Sequence, residues 1–341
     1  MSTSTDFEYK TSGKVHISLS AETRLEGASF ELYTKNPLEG GVLFGKGIIN
    51  ASGKFEADYL LGLELTSIYL KSTYIGLPGD IEINITNHMA LFDFNSLANT
   101  KSRHKSAMSN PVLTDNSGNI FKYMGTYNSA GVPDYLTVSD NIDASLLDDI
   151  NAALPEQNPV PNAHPEYLAS GNDVDIHITE ACDVWITFVH EGAGYKNVLG
   201  YYTYPTNNPP SNTSDIDTMF IIFPNTSFSG SGGGLNSGDK VHLGIFDPGT
   251  SIGWIIIQDG FDPNMTAVNV NKQKFYSNTG FNPETSKSKR QHNVQLLHAQ
   301  RDLVLIGFED LRRDVSGCDN DFNDAIYYVT SNPIEAIEEQ N

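Results

Sequence analysis

Acidic and amide side chains are concentrated in one short segment near the C-terminal end of the sequence. The octet GCDNDFND at residues 317–324 carries three aspartates and two asparagines within residues 319–324, and Glu309 and Asp310 form an acidic pair shortly before it. Carboxylates that converge raise one another's pKa and repel unless a cation neutralises them. Calcium accepts about six to eight oxygen ligands, which include Asn side chains and backbone carbonyls. These residue types therefore predict a calcium site.

The apolar runs on either side of this segment decide whether its acidic groups can meet. The run DLVLIGF ends directly before Glu309, and the run AIYYVTS begins directly after Asp324. If the two runs pair as an antiparallel hairpin, both acidic groups lie at the same end of it. The spacing excludes a helix-loop-helix calcium loop, because Asp324 stands where that loop needs Gly and Thr330 where it needs Glu. An acidic turn exposed to solvent is the alternative interpretation.

Composition indicates a strand-rich globular protein with no affinity for polyanions. The 341 residues are 39% hydrophobic and 18% charged, and the length is sufficient for two domains with their own cores. The 42 acidic and 21 basic residues give a formal net charge of -21. Such a surface repels nucleic acid and anionic membranes and attracts divalent cations. We therefore expect no nucleic-acid partner.

Apolar periodicity divides the chain into modules and predicts a mainly β fold of two β-sandwiches. Residues 14–90 alternate with period two, as in Val15, Ile17 and Leu19, and from about residue 172 several strand-like runs are apolar on both faces. The second sandwich is expected to be of jelly-roll type, and a linker and one amphipathic helix join the two. The expected boundaries are 1–92 for a small immunoglobulin- or transthyretin-like sandwich, 93–134 for linker or extended loops, 135–331 for the second sandwich with its acidic hairpin, and 332–341 for a tail.

The sequence SDNIDASLLDDINAALPE predicts the one clear helix of the chain. Its apolar residues Ile142, Leu146, Ile150 and Leu154 recur at helical spacing. Ser139 or Asp140 is expected to cap the N-terminus, and Pro155 ends the helix.

Catalytic motifs are incomplete, and we expect no enzyme activity. The segment GTSIG at 249–253 fits a nucleophile pattern, but a strand instead of a helix follows Ser251. A polysaccharide or peptide hydrolase with Glu191 and Asp259 as acid and base is an alternative, although neither residue lies in a diagnostic motif.

Two further groups of residues leave their roles open. The aromatic run of Tyr195, Tyr201, Tyr202 and Tyr204 offers stacking surface to a sugar ring, or else packs in the core. Cys182 and Cys318 are too few for a disulfide scaffold, and a single bridge between them is an option.

No apolar run reaches the ~20 residues that a transmembrane helix needs, and the polar start lacks the apolar core of a signal peptide. The sequence as written therefore predicts a cytoplasmic product, whereas a sequence from which an export signal has been removed permits an exported one.

Several long motifs of the second module resemble the LruC-domain proteins of bacterial envelopes. They include ACDVWITFVHEGAGYKNVLGYYTYP, QHNVQLL and GFEDLRRDVSGCDNDFNDAIYYV, in the order of that family and within residues 135–331. The FED and DNDFND signatures are also similar to a wider domain family found in large calcium-dependent adhesins and other exported bacterial proteins. In the first module, RLEGASFELYT and ASGKFEADYL resemble transthyretin-like or carboxypeptidase-regulatory sandwiches.

This resemblance implies a noncatalytic β-sandwich protein of the cell surface or outer membrane, or a secreted one, which acts in adhesion, ligand recognition or extracellular assembly. Its partner would be an extracellular glycan or protein, and a self-assembling structural subunit, a homo-oligomer, is the alternative. The implied calcium ligands are Glu309, Asp310, Asp319, Asp321 and Asp324, with Asn320 and Asn323 as carbonyl donors.

Overall fold

The computed structural model describes residues 11–94, except 22, 73, 75, 76, 78 and 79, and residues 111–337, except 173. The described residues are mainly in β-strands, as the sequence predicts. Contacts divide the chain into two units, residues 1–100 and residues 101–341, and each is described separately below.

Seven strands form the first unit, and the alternating residues of the sequence form its core. Val15, Ile17 and Leu19 are buried along the first strand, and Ile81 and Ile83 along the sixth. The strands are β1 (Ser12–Ser20), β2 (Ser29–Tyr33), β3 (Leu43–Ile48), β4 (Lys54–Gly62), β5 (Ser67–Lys71), β6 (Asp80–Thr86) and β7 (Met89–Asp93). They form a sheet in the order β3-β2-β5-β6-β7-β1-β4.

Glycines on β3 allow the two ends of this strand order to approach each other, so that the sheet nearly closes. A Cβ atom on Gly45 would lie 2.6 Å from the hydroxyl oxygen of Tyr59 on β4, and one on Gly47 would lie 2.6 Å from the ring of Phe55. The rings of Phe44 and Tyr59 also meet edge to face, with centroids 5.2 Å apart. A larger residue at Gly45 would have to displace the ring of Tyr59, and one at Gly47 the rings of Phe30 and Phe55.

The second unit is a sandwich of two sheets. Its strands are β8 (Leu113–Thr114), β9 (Ile120–Tyr123), β10 (Ile176–His177), β11 (Cys182–Glu191), β12 (Val198–Pro205), β13 (Met219–Phe223), β14 (Lys240–Phe246), β15 (Thr250–Ile257), β16 (Phe261–Asp262), β17 (Ala267–Val268), β18 (Lys274–Tyr276), β19 (Asn293–His298), β20 (Leu303–Phe308) and β21 (Ala325–Asn332). One sheet has the order β10-β15-β12-β13-β9-β8, and β18 also pairs with β15. The other has the order β14-β11-β21-β20-β19, and β16 pairs with β17 separately.

Residues that alternate along β15 belong to two different cores. Trp254 and Ile256 pack with Phe188, Phe308 and other residues of the facing sheet in the core of the sandwich. Ile255 and Ile257 on the other face join a second apolar cluster with residues of β9, β12 and β13. This double burial explains why the runs from residue 172 onward are apolar on both faces.

The interval 93–134, which the sequence predicts to be linker or extended loops, contributes two strands to the second unit. In β9 the side chains of Phe121 and Tyr123 are buried, and the strand runs parallel to β13 with Met219 opposite Phe121. The strands β8 and β9 are too short for their alternation to stand out from a polar background.

The predicted helix is confirmed as α1 (Ala144–Ala153), which buries Leu146, Leu147 and Ile150, but its predicted cap is wrong. Asp143 caps α1 by accepting a hydrogen bond from the backbone of Leu146 at 2.9 Å. Asp140 is instead bound to the sheet, where Thr187 and Tyr328 donate hydrogen bonds to it. A single turn, α2 (Val160–Ala163), follows.

Candidate metal centre

The hairpin predicted from the sequence is present. Strands β20 and β21 pair antiparallel with Phe308 opposite Ala325. Glu309 and Asp310 therefore leave one strand at the end where Asp324 enters the other. The seven predicted ligands all lie in the connection between these strands.

Glu309 is the most unusual group in this connection. Its side chain is fully buried, and neither carboxylate oxygen has a hydrogen-bond partner among the described residues. Burial, reinforced by the charges of Asp319 and Asp321, raises the pKa of Glu309 to about 8. The nearby side chains of Cys318 and Asp324 lower the pKa of Glu309 and so partly oppose this rise. Their distances or angles to the Glu309 oxygens are nevertheless outside the range of a hydrogen bond. An ionised carboxylate without a partner is costly at such a site, and a cation would offset that cost.

Asp310 and Asp324 form the second part of the inner group. The backbone N–H of Asp310 donates to Oδ2 of Asp324 at 2.8 Å, and the amide of Asn197 donates to Oδ2 of Asp310 at 2.6 Å. Burial raises the pKa of Asp310 to about 6 despite these bonds. The pKa of Asp324 lies well above its usual value because of burial and of the charges on Asp310 and Glu309.

An outer group of carboxylates includes a residue that the sequence did not reveal. Oxygens of Glu156, Asp319 and Asp321 lie within 4.8 Å of one another, which is the spacing of ligands around one ion. Asp321 is buried and accepts a hydrogen bond from the backbone of Gln157 at 2.8 Å, and burial raises its pKa to about 6. Glu156 comes from the loop after α1, far away in sequence, and no local spacing indicates its role.

The loop keeps its shape through two residues in the left-handed backbone region, Asn320 at φ 62° and Phe322 at φ 61°. Asn tolerates this region, whereas a bulky residue such as Phe adopts it only where its surroundings hold it. Phe322 is fully buried, and the guanidinium of Arg313 lies 4.9 Å above its ring. The loop is therefore fixed by its apolar residue and directs the flanking aspartates.

The two asparagines differ in what their oxygens already bind. Oδ1 of Asn320 accepts from Arg313 at 2.8 Å, and its backbone oxygen accepts from Val160 at 2.8 Å. These bonds tie the loop to Arg313 and to α2. The side-chain nitrogen of Asn323 donates to the backbone oxygen of Leu154 at 3.2 Å. The side-chain oxygen Oδ1 of Asn323 takes no part in that hydrogen bond. The loop is thus anchored to both ends of the segment that carries Glu156.

Cys182 and Cys318 are both free thiols, and no bridge joins them. Cys318 lies within the acidic loop. Burial and the neighbouring charge of Glu309 raise the pKa of its thiol, so it stays protonated and uncharged.

The two residues considered as acid and base lie beside the acidic hairpin. Glu191 pairs with Ala325 across β11 and β21, and the side chain of Asn197 bonds both Asp310 and the backbone N–H of Asp259. Glu191 is buried at the end of β11, and Asp259 forms an ion pair with Lys272 at 2.8 Å. Ser251 is buried inside β15, and a strand follows it, as the sequence predicts. Its hydroxyl lies 2.7 Å from Nδ1 of His177. In the aromatic run Tyr201 and Tyr202 belong to the apolar cores, whereas Tyr195 is exposed.

The donor set fits a hard cation. Six carboxylates in two adjoining groups supply only oxygen, and no His ligand is among them: Glu156, Asp319 and Asp321 in the outer group, and Glu309, Asp310 and Asp324 in the inner group. Calcium and similar hard ions prefer such ligands, whereas zinc and copper prefer nitrogen and sulfur.

Two families match parts of the chain. Residues 246–332, which contain all seven predicted ligands but not Glu156, match a family described as Domain of unknown function (DUF4114). Residues 11–94 match one described as Domain of unknown function (DUF8469). No curated protein and no solved structure gives a significant match. Among the described residues, no helix has both the length and the apolar character to cross a membrane.

Proposed function

We propose that this chain is a noncatalytic, calcium-stabilised β protein that acts at a bacterial cell surface, or after secretion, in adhesion or ligand recognition. The observation that carries the calcium part is Glu309, a fully buried carboxylate whose two oxygens lack hydrogen-bond partners and which lies beside other acidic groups. A divalent cation compensates such a group where hydrogen bonds do not.

In this proposal calcium fastens one end of the second sandwich. The outer group joins the loop after α1 to the connection between β20 and β21, because Glu156 belongs to the former and Asp319 and Asp321 to the latter. The inner group holds the two ends of that connection together through Glu309, Asp310 and Asp324. The binding free energy of the ion then appears as folding stability, because the unfolded chain has no such site.

The surface role is supported by the family match and by the sequence motifs. The DUF4114 match covers the acidic hairpin, and this domain is a known module of some bacterial proteins. The longer resemblance to LruC-domain envelope proteins is part of the proposal. A formal net charge of -21 also attracts divalent cations to the protein surface, which suits a protein that works where such cations are present.

Thermal unfolding of metal-free protein, with and without added calcium, tests the site. At a calcium concentration about 100-fold above Kd, binding adds about 2.7 kcal/mol, which corresponds to a rise in Tm of roughly 5–10 °C for a unit of this size. Asp321→Asn should lose most of this rise. The matched control is Glu180→Gln, at an exposed residue outside both acidic groups, and it should keep the full rise.

Equal Tm values with calcium and with chelator would reject a structural metal, and so would an unchanged calcium response of Asp321→Asn. Isothermal titration of the metal-free protein gives the number of ions per chain. Magnesium in place of calcium should produce a smaller rise in Tm, because Mg²⁺ dehydrates reluctantly and demands octahedral geometry.

A further inference from the structure

A cavity of about 460 Å³ opens on the outer face of the sheet that contains β11, β14 and β21. It lies away from the acidic hairpin end, and its size falls in the range of small-molecule sites. The side chains that line it and enter the argument below are Asn141, Trp185, Arg301, Asp302 and Thr330.

Trp185 gives this cavity an aromatic wall. The chain has two tryptophans. Trp254 is fully buried in the core of the sandwich, whereas Trp185 is half-buried and lines the cavity. A half-buried indole offers a rigid contact surface that a ligand can use.

Neighbouring side chains hold the indole in place. The ring of His242 stacks on it with centroids 4.9 Å apart, and Nε2 of His242 lies 2.8 Å from Oδ1 of Asp183. The ammonium of Lys240 also lies 5.5 Å from the indole centroid. A platform that is already fixed loses little side-chain entropy when a ligand binds.

The charged groups at the base of the cavity are paired. Oδ1 of Asp140 accepts from Lys240 at 3.0 Å, while Oδ2 accepts from Thr187 and Tyr328. Arg301 binds the carboxylate of Asp143 through both terminal nitrogens, at 2.8 and 2.9 Å. These pairs form a rigid base with no unpaired positive charge for an anionic ligand.

Three polar side chains around the cavity remain available to a ligand. The side chains of Asn141, Asp302 and Thr330 form no hydrogen bond to any other described residue, and Asn141 and Asp302 are exposed. Thr330 lies directly opposite Trp185 in the pairing of β11 with β21. The cavity thus combines an aromatic wall with unsatisfied hydroxyl, amide and carboxylate groups.

We propose that this cavity binds a neutral oligosaccharide. The apolar C–H face of a pyranose packs against the indole of Trp185, and its hydroxyls bond to Asn141, Asp302 and Thr330. The negative charge of Asp302 and the acidic surface of the chain disfavour uronic or sialic acids. The inference names a ligand class for the recognition role proposed above, but its contacts do not involve the calcium ligands.

Fluorescence quenching gives a direct test, because acrylamide reaches Trp185 and not the buried Trp254. The probes are maltohexaose, cellohexaose, xylohexaose and mannohexaose, with oligogalacturonate as the anionic comparison. At least one neutral probe should protect Trp185 from quenching and bind in isothermal titration. Trp185→Ala should weaken that binding about tenfold or more, Thr330→Val should weaken it less, and Trp185→Phe should retain part of it.

Tyr195→Ala, which removes an exposed aromatic ring elsewhere, is the matched control and should bind as the parent protein does. Failure of all neutral probes, preference for oligogalacturonate, or full binding by Trp185→Ala would each overturn the proposal. Thermal unfolding of the same samples with calcium separates the two proposals, because loss of sugar binding leaves the calcium response unchanged.

Discussion

At the scale of single residues, the stability of the second unit depends on how the charge of Glu309 is neutralised. A buried carboxylate without donors can take up a proton or bind a cation. Burial penalises the charged form and raises the pKa of Glu309 to about 8, so at neutral pH the proton is the expected occupant in metal-free protein. Calcium would displace that proton and use the same oxygens. Under the proposed function, protons and calcium would therefore compete for this residue.

This competition predicts how stability depends on pH. The folded-state pKa values are about 8 for Glu309 and about 6 for Asp310 and Asp321, against ordinary values of 4.5 and 3.8. Between the ordinary and the raised value the folded chain holds a proton that the unfolded chain has lost. Each group thus stabilises metal-free protein fully below its ordinary pKa, and this contribution is lost as pH rises through the folded value, by up to about 1.4 kcal/mol per pH unit per proton.

Urea unfolding of metal-free protein between about pH 5 and pH 8 measures this slope. We expect the free energy of unfolding to fall with rising pH, and the additional stability given by calcium to increase over the same range. Glu309→Gln has no proton to lose and should show a shallower slope. A metal-free protein that becomes more stable toward pH 8 would contradict the assignment.

The sequence predicted most of the acidic residues at this end of the sandwich because they adjoin strand ends that pair. Glu309 follows β20 directly and Asp324 precedes β21 directly, so strand pairing alone brings them together. Glu156 could not be predicted, because only the packing of the loop after α1 places it near Asp321. The cap of α1 was missed for a similar reason: Asp140, a good N-cap residue type, is bound to Thr187, Lys240 and Tyr328 of the sheet.

At the scale of elements, the geometry of the acidic loop depends on its contact with β20. A Cβ atom on Gly307 would lie 2.3 Å from the backbone oxygen of Phe322. Backbone cannot move away as a flexible side chain does, so the loop must shift if Gly307 is enlarged. Phe322 lies between Asp321 and Asn323, and any shift changes the positions of the carboxylates.

We therefore predict that Gly307→Ala lowers the free energy of unfolding by roughly 1–3 kcal/mol, the usual cost of overpacking, and also weakens calcium binding. Gly194→Ala is the matched control, because a Cβ atom there meets nothing within 4 Å. Urea unfolding and calcium titration of both variants provide the measurement. Calcium affinity equal to that of the parent protein in Gly307→Ala would show that the loop does not set the ligand positions.

Elements were predictable from sequence where their apolar pattern was long. The helix α1 and the strands β1 and β6 were predicted from periodicity, and the two apolar runs that flank the acidic loop were predicted to pair as a hairpin, as β20 and β21 do. By contrast, β8 and β9 have two and four residues and lie within a polar interval. Their place in the second unit depends on the pairing of β9 with β13 and of β8 with β9, which no local pattern indicates.

At the scale of the whole molecule, the chain consists of two units with separate cores, and both acidic groups belong to the second. Calcium should therefore stabilise only one of them. In differential scanning calorimetry we expect two transitions, of which one moves to higher temperature when calcium is added and the other stays in place. A single transition, or an equal shift of both, would show that the two units unfold together.

The position of Glu156 would give the proposed ion a role in linking distant parts of the chain. With both cysteines as free thiols, the ion would link two segments that are distant in sequence. The unfolded chain has no such site, so this link would exist only in the folded state and would stabilise that state by the binding free energy of the ion. Unlike a covalent link, this one opens whenever the ion is withdrawn, so the resistance of the second unit to proteases and to pulling forces would follow the calcium concentration around it.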